Sequence, residues 1–193
     1  ISEIFKTNFS SLNIDNQFIE LANEVDEAIK NYAIFERKDF GKIYALEIDG
    51  FGNALFMDDA NVPNLLSIPY LGYTSYHDEV YKNTRKFSLS TANPWFNEGK
   101  FAKGIGGPHV GENKIWPLGL IMQALTTDDD EEIFYCLKTL KNTHSGTGFI
   151  HESFDVNNPK DFSRSWFAWA NTLFGELILH LYEKKPEVLN RKF

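Results

Sequence analysis

Cysteine is nearly absent from this chain: Cys136 is the single one in 193 residues. One thiol excludes an internal disulfide and a zinc cluster built on cysteines. It fits a reducing compartment, and with no targeting signal in view it favours the cytoplasm. Clusters of Lys and Arg are missing too. The formal net charge is −8, so no basic stripe is present to meet the phosphates of a nucleic acid. No apolar run reaches the roughly 18 residues of a membrane span. The opening ISEIFKTNFSSLNID has no basic start and no small-residue cleavage site, which argues against a signal peptide there. The first residue is Ile1 rather than Met, so we expect a processed chain or a piece of something longer. No repeat, low-complexity tract or linker divides the sequence.

Several chemical signatures are missing as well. The glycines of GIGGPHVG, around His109, lack the Gly-Lys-Ser/Thr ending and the preceding strand of a phosphate loop. His109, His144 and His151 lack the four-residue spacing of a helical zinc site. The run from Asp49 lacks the ligand order of an EF-hand, and Asp128, Asp129 and Asp130 read better as a charged helix start. No metal and no cofactor is expected.

What is present is apolar and aromatic: 42% of residues are hydrophobic and 15% aromatic, enough for one domain with a sizeable core. Between Ile14 and Phe35, apolar residues recur at steps of three and four, which predicts an amphipathic helix capped by Asn13. Tyr44, Leu46 and Ile48 alternate, Asp49-Gly50 makes a turn and Ala54 to Met57 is apolar, which predicts a short hairpin. A helix is expected to start at Asp58 or Asp59 with Pro63 in its first turn, and another to run from His77 to Phe87. Ser88 to Lys114 reads as a long irregular loop, of the kind that often carries function. Ile115 to Leu125 is apolar on most sides. Asp128 and Glu131 have capping-box spacing ahead of Ile133, Leu137 and Leu140. The last long helix is expected from about Ser165 to Glu183, bounded by Ser163 and Pro186. Helices apolar all round need neighbours on every side. The inner ring of a two-layer helical barrel supplies them, and so does a bundle.

Four features could carry chemistry. Glu152 lies in GTGFIHESFD, a glycine-rich loop, beside His151 and near Phe149 and Phe154, where it can act as a general base. The alternative is a solvated loop glutamate. Asp58 and Asp59 can bind sugar hydroxyls, or one of them can cap a helix. His109 can be aimed at a ligand by its glycines, or be structural. Trp95, Trp116, Trp166 and Trp169 can stack on the apolar faces of sugar rings; Trp169 reads as core, whereas Trp166 and Arg164 stand better placed for a site.

Four segments together carry a resemblance. They are YALEIDGFGNALFMDDANVPNLLSIPYLGY, GIGGPHVGENKIWPLGLIMQALTTDDDEEI, GTGFIHESF and SRSWFAWANTLFGELI. From about Phe35 to about Leu181 the chain resembles glycoside hydrolase family 125, the metal-independent exo-α-1,6-mannosidases. The resemblance implies an all-α fold, an (α/α)6 barrel. Only the C-terminal half of its helices is expected here, as a single domain over residues 1–193 with a short β-hairpin insertion. It implies inverting hydrolysis of a terminal α-1,6-linked mannose without metal. The family's base is the glutamate matched here by Glu152. Asp58, Asp59, Asn61, His109, His151, Arg164 and Trp166 are expected around the substrate. The family's general acid, an aspartate of its N-terminal half, has no matching motif in this sequence. The chain is therefore expected to supply the base, to need the missing half of the barrel as partner, and to be inactive alone. Two other readings stay open: a non-catalytic mannoside-binding helical chain, and a structural helical module.

Overall fold

Helix α1 (Asp15–Tyr32) follows the predicted three- and four-residue steps. Its expected cap, Asn13, lies outside the residues that the computed structural model describes, which are 15–192. Beyond α1 the chain turns back on itself as β1 (Ile34–Arg37) and β2 (Gly41–Tyr44), an antiparallel pair that the sequence pattern did not announce. The Tyr44 N–H then donates to Thr84 Oγ1 at 2.9 Å, which fastens this hairpin to α2 (Glu79–Ser88). Asp78 caps α2 by accepting from the Tyr81 N–H at 2.9 Å. The predicted hairpin is present as β3 (Glu47–Ile48) and β4 (Ala54–Leu55). Asp49 closes its turn by accepting from the backbone N–H of Phe51 and of Asn53, each at 2.8 Å.

The helix expected at Asp58 does not form. Residues 58–77 run through successive turns with no helical ladder. The Asp58 carboxylate reaches past any cap position to the N–H groups of Leu65 and Leu66, at 2.9 and 3.2 Å. Asn64 and Ser67 close a second turn through each other's side chains. These side-chain acceptors satisfy the backbone in place of a helix.

The expected loop from Ser88 to Lys114 contains strands too short for alternation to show: β5 (Phe96–Glu98), β6 (Lys103–Ile105) and the first residue of β7 (Lys114–Ile115). β5 pairs with β6. β7 pairs with β8 (Ser153–Asp155), which pairs in turn with β9 (Asn158–Ser163). Gly106 follows β6 where the strands converge, and a Cβ on it would stand 2.2 Å from the Lys114 carbonyl oxygen. That neighbour is backbone and cannot swing aside. Gly106→Ala should therefore destabilise the fold by about 3 kcal/mol through overpacking. The melting temperature should drop by roughly 6–12 °C; a drop under a few degrees in a calorimetric scan would mean the strands part easily.

The core is centred on α3 (Pro117–Leu125), in which every residue from Pro117 to Ala124 is buried. Pro117 suits the first helical position, where its missing N–H is no loss, and it holds Trp116 extended. α3 packs between α4 (Asp130–Thr143) and α5 (Ala168–Lys184), and the short α6 (Pro186–Leu189) leans on both of these. The cap of α4 is Asp129, one residue later than the spacing suggested; it accepts from the N–H groups of Glu131 and Glu132. Ile133, Leu137 and Leu140 face the core as predicted. α5 starts at Ala168, not Ser165, and Ser163 belongs to β9 rather than to a helix end.

One correction to the fold class follows. The chain is not all-α, because its connections between helices pair with one another, as nine short strands among the described residues. That pairing satisfies backbone groups that would otherwise be stranded against the core. The principal helix packing is α3 on α4 and on α5. α3 is enclosed along its length. α5 is covered along Ala170, Leu173, Leu177 and Leu181 only, while Trp169, Leu179 and Tyr182 stand exposed on its other side.

Candidate active site

Glu152 immediately precedes β8, where two backbone devices place it. From the strand side, Ser153 stands opposite Ser163 in the β8–β9 register, and the Glu152 N–H donates to the Ser163 carbonyl at 3.3 Å. From the loop side, residues 144–151 are tied to themselves. His144 Nδ1 accepts from the N–H groups of Gly146 and Gly148, at 3.1 and 3.2 Å. Both glycines have positive φ, 82° and 74°, which side chains rarely tolerate. Asn171 of α5 clamps the end of this loop: its Oδ1 accepts from the Ile150 N–H, and its Nδ2 donates to the Ile150 and Phe167 carbonyls.

The Glu152 side chain is 15% exposed, so it is not a solvated loop glutamate. Its Oε2 accepts from Ser163 Oγ at 2.9 Å and stands 3.3 Å from Arg164 Nε. Oε1 has no hydrogen-bond partner among the described residues. Arg164 itself has a positive φ of 44°, an unusual conformation for a residue with a Cβ, and its guanidinium lies 5.5 Å over the Phe167 ring.

A second polar group is built on the 58–61 turn. The Ala60 N–H donates to the Gly106 carbonyl at 3.0 Å, and the Trp116 N–H to the Ile105 carbonyl at 3.0 Å, so the turn, β6 and the start of α3 are stitched together. Asp59 Oδ1 accepts from the Asn61 N–H at 2.8 Å. Asn61 Nδ2 meets His109 Nε2 at 2.8 Å, and Asp59 Oδ2 stands 4.0 Å from the same nitrogen. The two groups are joined by a row of rings. His109 is edge-on to Trp116 at 5.8 Å, and Trp116 is edge-on to Phe167 at 6.0 Å, below Arg164. The Asp59–Asn61–His109 group and the Glu152–Arg164 pair thus stand at the two ends of one run of rings. Trp166 exposes its ring nearby in sequence.

Two expected contact residues are enclosed instead. His151 is 2% exposed, stacked on Phe162 at 3.8 Å, with Nε2 bonded to Thr147 Oγ1 at 2.9 Å. Burial holds its imidazole below the usual histidine range. It supports the loop rather than facing a ligand. Asp58 is wholly buried, and its oxygens serve the backbone of residues 59, 65 and 66. Among the described residues no three His, Cys, Asp or Glu side chains converge as metal ligands, and no helix is long and apolar enough to cross a membrane.

Burial pushes the Asp58 carboxyl up to about 7, against the N–H donors of Leu65, Leu66 and Asp59, which favour the ionised form. Between the ordinary carboxylate range and about 7 the folded state then binds more protons than the unfolded one. Stability from this group is greatest at the acid end of that window and is lost as pH rises through it. Melting temperatures at constant ionic strength should carry a component that falls from roughly pH 4 to about pH 7, and Asp58→Asn should flatten it. A slope identical in the variant would assign it to other groups.

Ser163, Phe167 and Asn171 were missed from sequence. Asn171 alone left a signal, an amide and poor helix former in the first turn of α5. The apolar cavity of about 340 Å³ between α4, α5 and α6 lies behind the loop, lined by Leu137, Phe149, Phe174 and Ile178, and shares none of the polar wall.

A braced carboxylate beside an aromatic and polar wall on a mainly helical frame has the make-up of a sugar-processing protein. Comparison with known proteins agrees. Residues 1–179 match the family of metal-independent alpha-mannosidases, GH125. The chain is 53% identical over 171 residues to the meiotically up-regulated gene 157 protein of Schizosaccharomyces pombe, across 88% of this chain and 34% of that protein. It superposes with a TM-score of 0.88, at 45% identity, on a Streptococcus pneumoniae structure from a family of metal-independent alpha mannosidases, a non-productive substrate complex with alpha-1,6-mannobiose. That match covers 95% of this chain and 44% of the bacterial one. The chain belongs to the GH125 family. It spans about a third of the yeast relative and under half of the bacterial chain.

Proposed function

We propose that this chain forms the base-bearing part of an inverting, exo-acting α-mannosidase that removes terminal α-1,6-linked mannose. The observation that carries the reading is the asymmetry of Glu152: one carboxylate oxygen is held by Ser163 and Arg164, and the other has no hydrogen-bond partner among the described residues. Inversion needs such a carboxylate to draw a proton from water on one face of the sugar, and an acid on the other face to protonate the leaving oxygen. No metal enters this scheme. Asp59, Asn61 and His109 offer hydroxyl partners, and Trp166 offers a ring face. The bacterial neighbour's bound α-1,6-mannobiose supports the substrate class.

In this reading the acid comes from sequence that the longer relatives carry outside the matched region, and that sequence also completes an (α/α)6 ring against the exposed side of α5. Incubating the full-length protein with α-1,6-mannobiose, and following the anomer released by NMR, tests the proposal. Release of β-mannose supports it. Release of α-mannose would replace inversion by retention. Binding without turnover would leave a mannoside-binding protein.

A further inference from the structure

The serine pair beside Glu152 has a direction. Ser153 and Ser163 face each other across β8 and β9, with their hydroxyl oxygens 2.7 Å apart. Ser163 also gives its hydroxyl hydrogen to Glu152 Oε2 at 2.9 Å. A serine hydroxyl has one hydrogen, so Ser163 can only accept from Ser153. Ser153 is fully buried, which leaves its own hydrogen no water as a rival acceptor. The hydrogens therefore run one way, from Ser153 to Ser163 to Glu152. The main chain repeats the link, because the Glu152 N–H donates to the Ser163 carbonyl. Arg164 brings Nε to the same Oε2 from a left-handed backbone.

From this the geometry points to Ser163 as the positioning residue of Glu152, with Ser153 orienting its hydroxyl and Oε1 as the oxygen left to take a proton. The inference deepens the reading of Glu152 as base and rests on it. A free carboxylate turns about its last torsion, and a base is effective only while its lone pair faces the water. The Ser163 hydrogen bond, with the Arg164 guanidinium beside the same oxygen as an ion-pair contact, restrains that turning. The β8–β9 pairing sets the spacing, so the strands and not the loop define the aim of the carboxylate. The plainer explanation is that the two hydroxyls merely staple the hairpin, since cross-strand Ser pairs add a little stability. A staple would change melting and spare turnover.

Kinetics on the full-length protein with α-1,6-mannobiose separate the two, with Ser163→Ala, Ser163→Thr, Ser153→Ala and Glu152→Gln measured side by side. Ser163→Ala should lower kcat about tenfold while KM stays within about twofold. Ser163→Thr keeps the hydroxyl on a residue suited to a strand, and should hold kcat within about threefold of the parent. Ser153→Ala should lower kcat by about two- to fivefold, because the Ser163 hydroxyl is then free to turn. Should Ser163→Ala not fold, the contrast between Ser163→Thr and Ser153→Ala carries the same decision. Parental kcat in Ser163→Ala and Ser153→Ala, with Glu152→Gln inactive, overturns the positioning role and leaves the base intact. An active Glu152→Gln overturns both.

Discussion

Glu152→Gln in the full-length protein should hydrolyse α-1,6-mannobiose about two to four orders of magnitude more slowly than the parent, with KM nearly unchanged. The amide keeps the shape of the carboxylate and can still accept from Ser163 and face Arg164 through its carbonyl oxygen. What it loses is the second, basic oxygen, replaced by an NH2 group that donates. The effect should therefore fall on kcat, because a base acts in the transition state and not in ground-state binding. Folding should change little: the residue is partly exposed and lies outside the apolar core. Loss of the Arg164 contact contributes little stability, since the Arg164 side chain is 65% exposed and screened by solvent. A variant that turns over at nearly the parental rate would place the base elsewhere and return Glu152 to a role in fastening the hairpin.

How much of this could be read without coordinates depends on the range over which each signal acts. α1 to α5 were legible because a helix repeats its pattern over several turns, and Ile133, Leu137 and Leu140 faced inward as spaced. β5, β6 and β7 were not, because two or three residues cannot display alternation. Ser163 shows the same limit in a chemical form. A serine ahead of an apolar run reads as a helix cap, whereas its real partners, Ser153 and Glu152, are ten and eleven residues back across a hairpin. Glu152 stood out by its glycine-rich loop, and its expected role as base came from the resemblance of its whole segment. The direction in which its carboxylate is held came from strand pairing that no local pattern encodes. Asp58 and Asp59 looked equivalent, yet one is enclosed and the other lines the wall.

That difference between neighbours makes the largest expected effect on stability. Asp58→Ala removes the acceptor of three backbone N–H groups at once, those of Asp59, Leu65 and Leu66. All lie in a stretch without a helical or strand ladder, so no backbone carbonyl stands ready to replace it. A buried donor left without a partner costs about 1–3 kcal/mol. Relief from burying a carboxyl offsets part of the sum, and a net loss of about 3–5 kcal/mol remains. Against a typical stability of about 5–15 kcal/mol this is severe, and the melting temperature should fall by roughly 6–20 °C. Asp59→Ala should behave differently, because Asp59 accepts a single hydrogen bond, from the Asn61 N–H. Its melting temperature should stay within a few degrees of the parent, while KM for the mannoside rises. Equal melting of the two variants would mean that the 58–67 turns hold without the Asp58 carboxylate, through the bonds of Asn93 to the Asp58 backbone, of Asn64 to the Asp59 carbonyl and of Ala60 to Gly106.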